Sequence, residues 1–256
     1  MKLGESLFDV VEEKIKTVSG KEVSGKKAIV RVDTGEVLGV VSDKYKLVRH
    51  QEVLSSMEQV FKELAMGEPS ISLCKRGAVM FAKFLTPKTW EPKEGDIVRF
   101  GLQVFNSYNG SLPVGVILIA LRLKCSNGMT VPETMTRFMI KHYDSLSLGD
   151  IRRKSEDVLG KIDVVVKRWG GWSQVKVDEQ KVRDFLVSLF GRRSSEDLYR
   201  KYLELKEGDT VWDFYQFLSY WSSNLKKTRK GNEESLPLLR WGIENSVASR
   251  MSRFNW

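Results

Sequence analysis

Up to about Leu146 the apolar positions alternate or run in short blocks between turn residues. Beyond it they recur at helical spacing. Ser6 to Thr17 predicts a short helix, with Ser6 as cap and Leu7, Phe8, Val11 and Ile15 as its stripe. Ala28 to Val32 and Val37 to Val41 flank the turn signal Asp33-Thr34-Gly35-Glu36 and predict a hairpin. Tyr45 to Val48 extends that sheet. His50 to Ala65 predicts a helix with Val53, Leu54, Met57, Val60, Phe61 and Leu64 on one side.

Ser70 to Lys75 and Ala78 to Leu85 form a second candidate hairpin around Arg76-Gly77, and Pro87 to Gly95 reads as a loop. Asp96 to Ser107, the turn Asn109-Gly110 and Pro113 to Cys125 predict a third hairpin, followed by a turn at Ser126-Asn127-Gly128. Thr130 to Lys141 is a further strand or an irregular crossing. Five helices follow: Asp150 to Trp169, stopped by Gly170-Gly171; Asp178, as cap, to Phe190; Ser195 to Leu205; Asp209 to Lys227; and Leu236 to Arg253. No repeat of fixed period occurs. The expectation is an α+β protein: an antiparallel β-rich domain with a packed helix over 1–147, then a mostly helical region over 148–256.

Period two separates the faces of Asp96 to Ser107. Val98, Phe100, Leu102 and Val104 form a continuous apolar set that should meet a core. The opposite set carries Arg99, Gln103 and Phe105. If the hairpin closes at Asn109-Gly110, Arg122 and Lys124 join Arg99 and Gln103 on one cationic face. Such a face suits backbone phosphates, with Phe105 or Tyr108 placed to stack a base and Lys75 and Lys83 as additional cations. The ordinary alternative is the polar face that any antiparallel sheet shows to water.

Charge gives that reading weight. The 256 residues include 42 Lys and Arg against 33 Asp and Glu, a net charge of +9, with a pI near 9.4. A surplus of this size favours an anionic partner, nucleic acid first. Arg152-Arg153-Lys154 and Lys226-Lys227-Thr228-Arg229-Lys230 extend the basic surface, or are simply solvated. The longest apolar run, Val114 to Leu121, is strand-sized, and the N-terminus lacks a signal-peptide pattern. Cys74 and Cys125 are the only cysteines and sit in no paired motif. A cytoplasmic protein without membrane contact is expected.

Catalytic and metal signatures are missing from the sequence. No phosphate loop, dinucleotide turn or nucleophile elbow occurs. The two histidines, His50 and His142, show no metal-ligand spacing, and His142 with Asp144 reads as a surface pair. Cys125 reads as a buried structural thiol. Trp212, Phe214, Tyr215, Phe217, Leu218, Tyr220 and Trp221 surround one helix, which implies burial on several sides or a subunit contact.

Three segments in order resemble a known family. They are Val32-Asp33-Thr34-Gly35-Glu36-Val37-Leu38-Gly39-Val40-Val41-Ser42-Asp43-Lys44-Tyr45-Lys46, then Asn106-Ser107-Tyr108-Asn109-Gly110-Ser111, then Arg122-Leu123-Lys124-Cys125-Ser126-Asn127-Gly128-Met129. The chain resembles the phage- and plasmid-borne family of unknown function numbered nine-three-two, whose members are often labelled phage/plasmid-like protein. In that family the turn at Tyr108-Asn109 often reads His-Asp. The departure here argues against a metal or acid/base role for that turn. The order hairpin, helix, antiparallel strands is in turn similar to the core of single-strand annealing proteins of the Red-beta, Erf and Rad annealing type. That resemblance implies an oligomer holding single-stranded DNA in a basic groove.

The expected function is therefore ATP-independent binding, with annealing as an extension, of single-stranded DNA in the recombination of a mobile element. It needs no catalytic residue, cofactor or metal, and self-association is compatible with it. The contacts would be Lys75, Lys83, Arg99, Gln103, Phe105, Tyr108, Arg122, Lys124, Arg152, Arg153 and Lys154, and Arg122→Ala would weaken binding and its salt dependence. The rival readings are a metal-dependent nuclease and a viral or plasmid interaction and assembly module.

Overall fold

A computed structural model of the chain describes residues 7–123, 127–130, 137–143, 147–225 and 236–256. The α+β class holds: antiparallel sheets fill the first part and helices the second.

A small sheet has the order β1 (Val10–Lys16), β2 (Glu22–Arg31), β3 (Val37–Ser42). The β2–β3 hairpin is the one expected, turning at 33–36. The first segment is a strand and not a helix. Val10 lies opposite Arg31 and is fully buried, whereas Val11 of the supposed helical stripe is exposed. Backbone pairing with β2 overrides a weak local helical pattern. Tyr45 to Val48 does not prolong the sheet. Tyr45 turns inward and its hydroxyl donates to the Ser107 carbonyl at 2.6 Å.

The helical segment after it is two pieces, α1 (His50–Ser56) and α2 (Glu58–Glu63), meeting at Met57. The expected apolar side is the buried one: Val53, Leu54, Met57, Val60 and Phe61 all sit in the core.

The large sheet runs β4 (Ser70–Cys74), β5 (Val79–Lys93), β6 (Asp96–Ser107), β7 (Val114–Arg122), β8 (Asn127–Thr130). A further strand, β9 (Arg137–Ile140), also lies along β7. The expected loop over Pro87 to Gly95 is mostly strand. β5 continues to Lys93 by shifting register between Leu85 and Thr89, where Pro87 has no ladder bond to forfeit.

The helices are α3 (Leu148–Leu159), α4 (Ile162–Trp172), α5 (Glu179–Leu205), α6 (Val211–Ser223) and α7 (Leu236–Met251). Gly170 and Gly171 do not stop α4, which ends at Trp172. The break in the segment falls earlier, at Gly160 and Lys161. Asp178 caps α5 as expected, accepting from the Lys181 amide at 3.0 Å. α5 contains the two helices read from the sequence, joined at Gly191, whose φ of 73° and ψ of 163° suit only glycine.

One face of the large sheet carries Met80, Ala82 and Phe84 of β5, the Val98-to-Val104 set of β6, and Val114, Val116, Leu118 and Ala120 of β7. α3, α4 and α6 bury it. Trp169 stacks on Phe100 at 5.4 Å, and Trp212 packs on Trp169 at 5.0 Å. This single core takes in α1 and α2 from one side and Val247 and Met251 of α7 from the other. The aromatic α6 is therefore enclosed on several sides. Five of its seven large apolar residues are buried, and Tyr220 remains exposed. Among the described residues no helix is long and apolar enough to cross a membrane.

Candidate functional site

The segment Asn106 to Ser111 closes the β6–β7 hairpin and docks on β3. A Cβ on Gly39 would lie 2.5 Å from the Asn109 Cα, so only glycine admits this approach. Beneath the turn, Tyr108 stacks on His50 at 3.9 Å, and its hydroxyl accepts from the His50 amide at 2.9 Å. Asn106 Nδ2 donates to the Val48 carbonyl at 2.8 Å and lies 3.0 Å from His50 Nδ1. His50 Nε2 lies 3.0 Å from the Gly77 carbonyl, so a neutral ring donating there and accepting from Asn106 satisfies both partners. Burial pushes the His50 pKa down to about 3. His142 is not a surface group. It is buried, stacks on Tyr45 at 4.4 Å, and is also held below its usual pKa by burial; Asp144 lies outside the described residues. The segments 32–46 and 106–111, together with His50 and His142, thus build a neutral polar joint between the two sheets.

This joint corrects the stacking assignment. Tyr108 and Phe105 are completely enclosed, Tyr108 against His50 and Phe105 against Trp241 at 5.2 Å, so neither has a free face for a base.

The pairing of β6 with β7 corrects the cationic face. Directly paired residues share a face. Arg99 pairs with Leu121 and Gln103 with Ile117, whereas Arg122 pairs with Val98. Arg122 therefore points into the helix-covered side. Its Nε donates to Asp96 Oδ1 at 2.5 Å and its Nη2 to Glu207 at 2.8 Å, and the Trp212 indole donates to the other Asp96 oxygen at 2.6 Å. Burial works against the Arg122 charge, but the hydrogen bonds it donates to Asp96 and Glu207 outweigh it and its pKa is raised. A buried cation already held by two carboxylates is not a phosphate ligand.

The other sheet face keeps Lys83, Arg99 and Gln103. Gln103 is buried between its neighbours on β5 and β7. Lys83 is exposed, Arg99 half-buried, and the two line one pocket of about 610 Å³ with Glu68, Leu85, Ile119 and Leu121. Neither cation is in an ion pair among the described residues, and Arg99 Nε is buried without a hydrogen-bond partner. Glu244 on α7 feels the Lys83 charge, yet burial dominates and its pKa is raised. The pocket combines two uncommitted cations with apolar walls, an arrangement that takes an anionic group joined to a flat or apolar one.

The remaining expected cations lie elsewhere. Lys75 follows β4 at the strand end with φ of 51°. Arg153 pairs with Asp150 at 2.7 Å and Lys154 with Asp157 at 3.3 Å. Arg152 bonds Gln59 and faces Glu63 and Glu156. These three are charge-balanced on the first turns of α3. Lys124, Cys125 and the run from Lys226 to Lys230 lie outside the described residues. Sequence reasoning missed Arg137, which pairs with Ile117 and so shares the Lys83–Gln103 row. It also missed the pocket walls, since the β5 register shift just beyond the Leu85–Gly101 pair, which sets Thr89 opposite Arg99, has no composition signal. Among the described residues no group of three or more His, Cys, Asp or Glu is placed to hold a metal.

In comparison with known families, the model described as Domain of unknown function (DUF932) matches residues 37–255. No curated protein and no solved structure matches the chain.

Proposed function

The chain belongs to the DUF932 family, whose description carries no activity, and from that premise we propose that it is a cytoplasmic, non-catalytic binder of single-stranded nucleic acid serving a mobile element. The observation that carries the reading is the Lys83–Arg99 pocket, where two cations without ion-pair partners among the described residues stand over apolar walls. Its volume of about 610 Å³ lies within the range of small-ligand sites and admits a nucleotide. A recessed pocket of this kind favours a flexible strand, which can turn one nucleotide inward, over a duplex whose phosphates stay on a rigid rail. The net charge of +9 supplies the long-range attraction. Pairing of complementary strands held this way would proceed without ATP.

The test is fluorescence anisotropy with single- and double-stranded oligonucleotides over a salt series, with and without magnesium. Salt-sensitive preference for single strands is expected. Lys83→Ala with Arg99→Ala should lower the slope of log affinity against log salt by about 1.4, roughly 0.7 per lost phosphate contact. Absence of binding at low salt, or a double variant that binds like wild type, overturns the reading.

A further inference from the structure

The β1–β2 hairpin reaches beyond the sheet to which it belongs. The last row to span all three strands is Lys14, Lys27 and Val41. β1 runs on past it to Lys16, opposite Glu22, and the chain turns over Val18, Ser19 and Gly20. Val18 thus stands about 10 Å past that row. The tip is rigid. The Gly20 amide donates to the Thr17 carbonyl at 2.8 Å, and the Thr17 amide to the Lys21 carbonyl at 2.8 Å. Thr17 Oγ1 accepts from the Lys21 amide at 3.1 Å and lies 2.9 Å from Ser19 Oγ. Gly20 takes the left-handed φ of 81° that closes such a three-residue loop.

What the tip displays is unusual for a turn, where small polar residues are favoured. Val18 is fully exposed, whereas no other large apolar side chain among the described residues exceeds 57%. Single exposed apolar residues are ordinary on a broad surface. This one is held out at the end of a rigid hairpin and bracketed by Lys16 and Lys21. Lys16 shares a face with Glu22, so Lys21, next along the strand, belongs to the opposite face. Lys14 holds Glu22 at 2.9 Å, and neither Lys16 nor Lys21 has an ion pair among the described residues.

We propose that this tip enters a groove of double-stranded nucleic acid, with Val18 wedged between base pairs and Lys16 and Lys21 on the phosphates of the two groove walls. A groove is about 8 Å deep, within reach of the tip, and lysines on opposite faces meet the two backbones. One apolar side chain is what a wedge between stacked pairs requires. It is too little to hold a bilayer, where even a single acyl chain binds only marginally. An unpaired strand gains less from it, because valine offers no flat ring for a base to stack on. The hairpin lies ahead of the family-matched residues 37–255, and its contact goes beyond the single-strand reading without depending on it. Together, the pocket would keep an unpaired strand and the hairpin the duplex that pairing produces.

Blunt duplexes carrying 2-aminopurine at successive interior steps, titrated with the full chain at low salt, test this. The probe brightens when its neighbour is unstacked. Wild type should brighten it several-fold. Val18→Ser should abolish the brightening at an unchanged melting temperature, because the side chain packs on nothing. Lys16→Ala with Lys21→Ala should lower the slope of log duplex affinity against log salt by about 1.8, roughly 0.9 per lost phosphate contact. The Lys83→Ala, Arg99→Ala variant should keep the brightening, so failure of the pocket and failure of the hairpin are separable. Absence of duplex binding by wild type, brightening by Val18→Ser equal to wild type, or an unchanged slope in the lysine double variant overturns the proposal. Sedimentation with phosphatidylserine vesicles covers the other anionic surface. Vesicle binding that Val18→Ser removes, without brightening of the duplex, assigns the tip to a membrane and overturns the proposal as well.

Discussion

Arg122 on β7 and Asp96 at the start of β6 meet with Nε and Oδ1 2.5 Å apart, both side chains buried, and the Trp212 indole closes the other carboxylate oxygen at 2.6 Å. The contact ties the large sheet to α6. Its charge is structural, which reverses what the sequence leads one to expect of this arginine.

Arg122→Met should leave Asp96 buried without its cation. The expected loss is about 3–5 kcal/mol in urea denaturation. The salt slope of oligonucleotide binding, measured where the variant is still folded, should stay at the wild-type value.

Gly39→Val places a side chain where Asn109 already stands. Either the β6–β7 turn lifts off β3 or the small sheet shifts. Overpacking of this kind costs about 1–3 kcal/mol. Thermal unfolding should show that loss, and amide exchange should rise at Tyr108 to Gly110 ahead of the large sheet.

His50 has a folded pKa near 3 against an ordinary 6.5, so the unfolded chain binds its proton first as pH falls. The contribution of its neutral form is complete above about pH 6.5 and is lost on going down toward pH 3, by about 1.4 kcal/mol per pH unit. The difference in stability between wild type and His50→Gln, followed across pH 7 to 4, isolates this group from the carboxylates. That difference should shrink as the pH falls, and a flat difference would show that His50 is not the group responsible.

The cations of α3 are paired, and those of the pocket, Lys83 and Arg99, have no ion pair among the described residues. Arg153→Ala should therefore change single-strand affinity by less than twofold, with Arg99→Ala reducing it several-fold at the same salt. Parallel anisotropy titrations separate the two.

Much of this architecture is legible in the sequence because it is local. The turns at 33–36 and 109–110, the apolar set of β6, the Asp178 cap and a helix break between Phe190 and Ser195 each announce themselves within a few residues. Strand pairing across a turn is not local in that sense. A hairpin closed symmetrically on Asn109-Gly110 would set Arg122 opposite Ile97; the actual closure sets it opposite Val98, and one residue of slip moves a side chain to the other face. The candidate site was half-read for the same reason. Lys83 and Arg99 are legible, but their pocket depends on the register shift in β5, which no periodicity reports.

The main core joins Val53 of α1 to Met251 of α7 around a sheet formed between them. A protein built on contacts so distant along the chain folds slowly. While it is being synthesised, the apolar side of the large sheet is covered only in part, by α1 to α4, until α6 has left the ribosome. For that interval the nascent chain presents aggregation-prone strands to the cell, and its yield should follow the supply of chaperones more closely than its final stability.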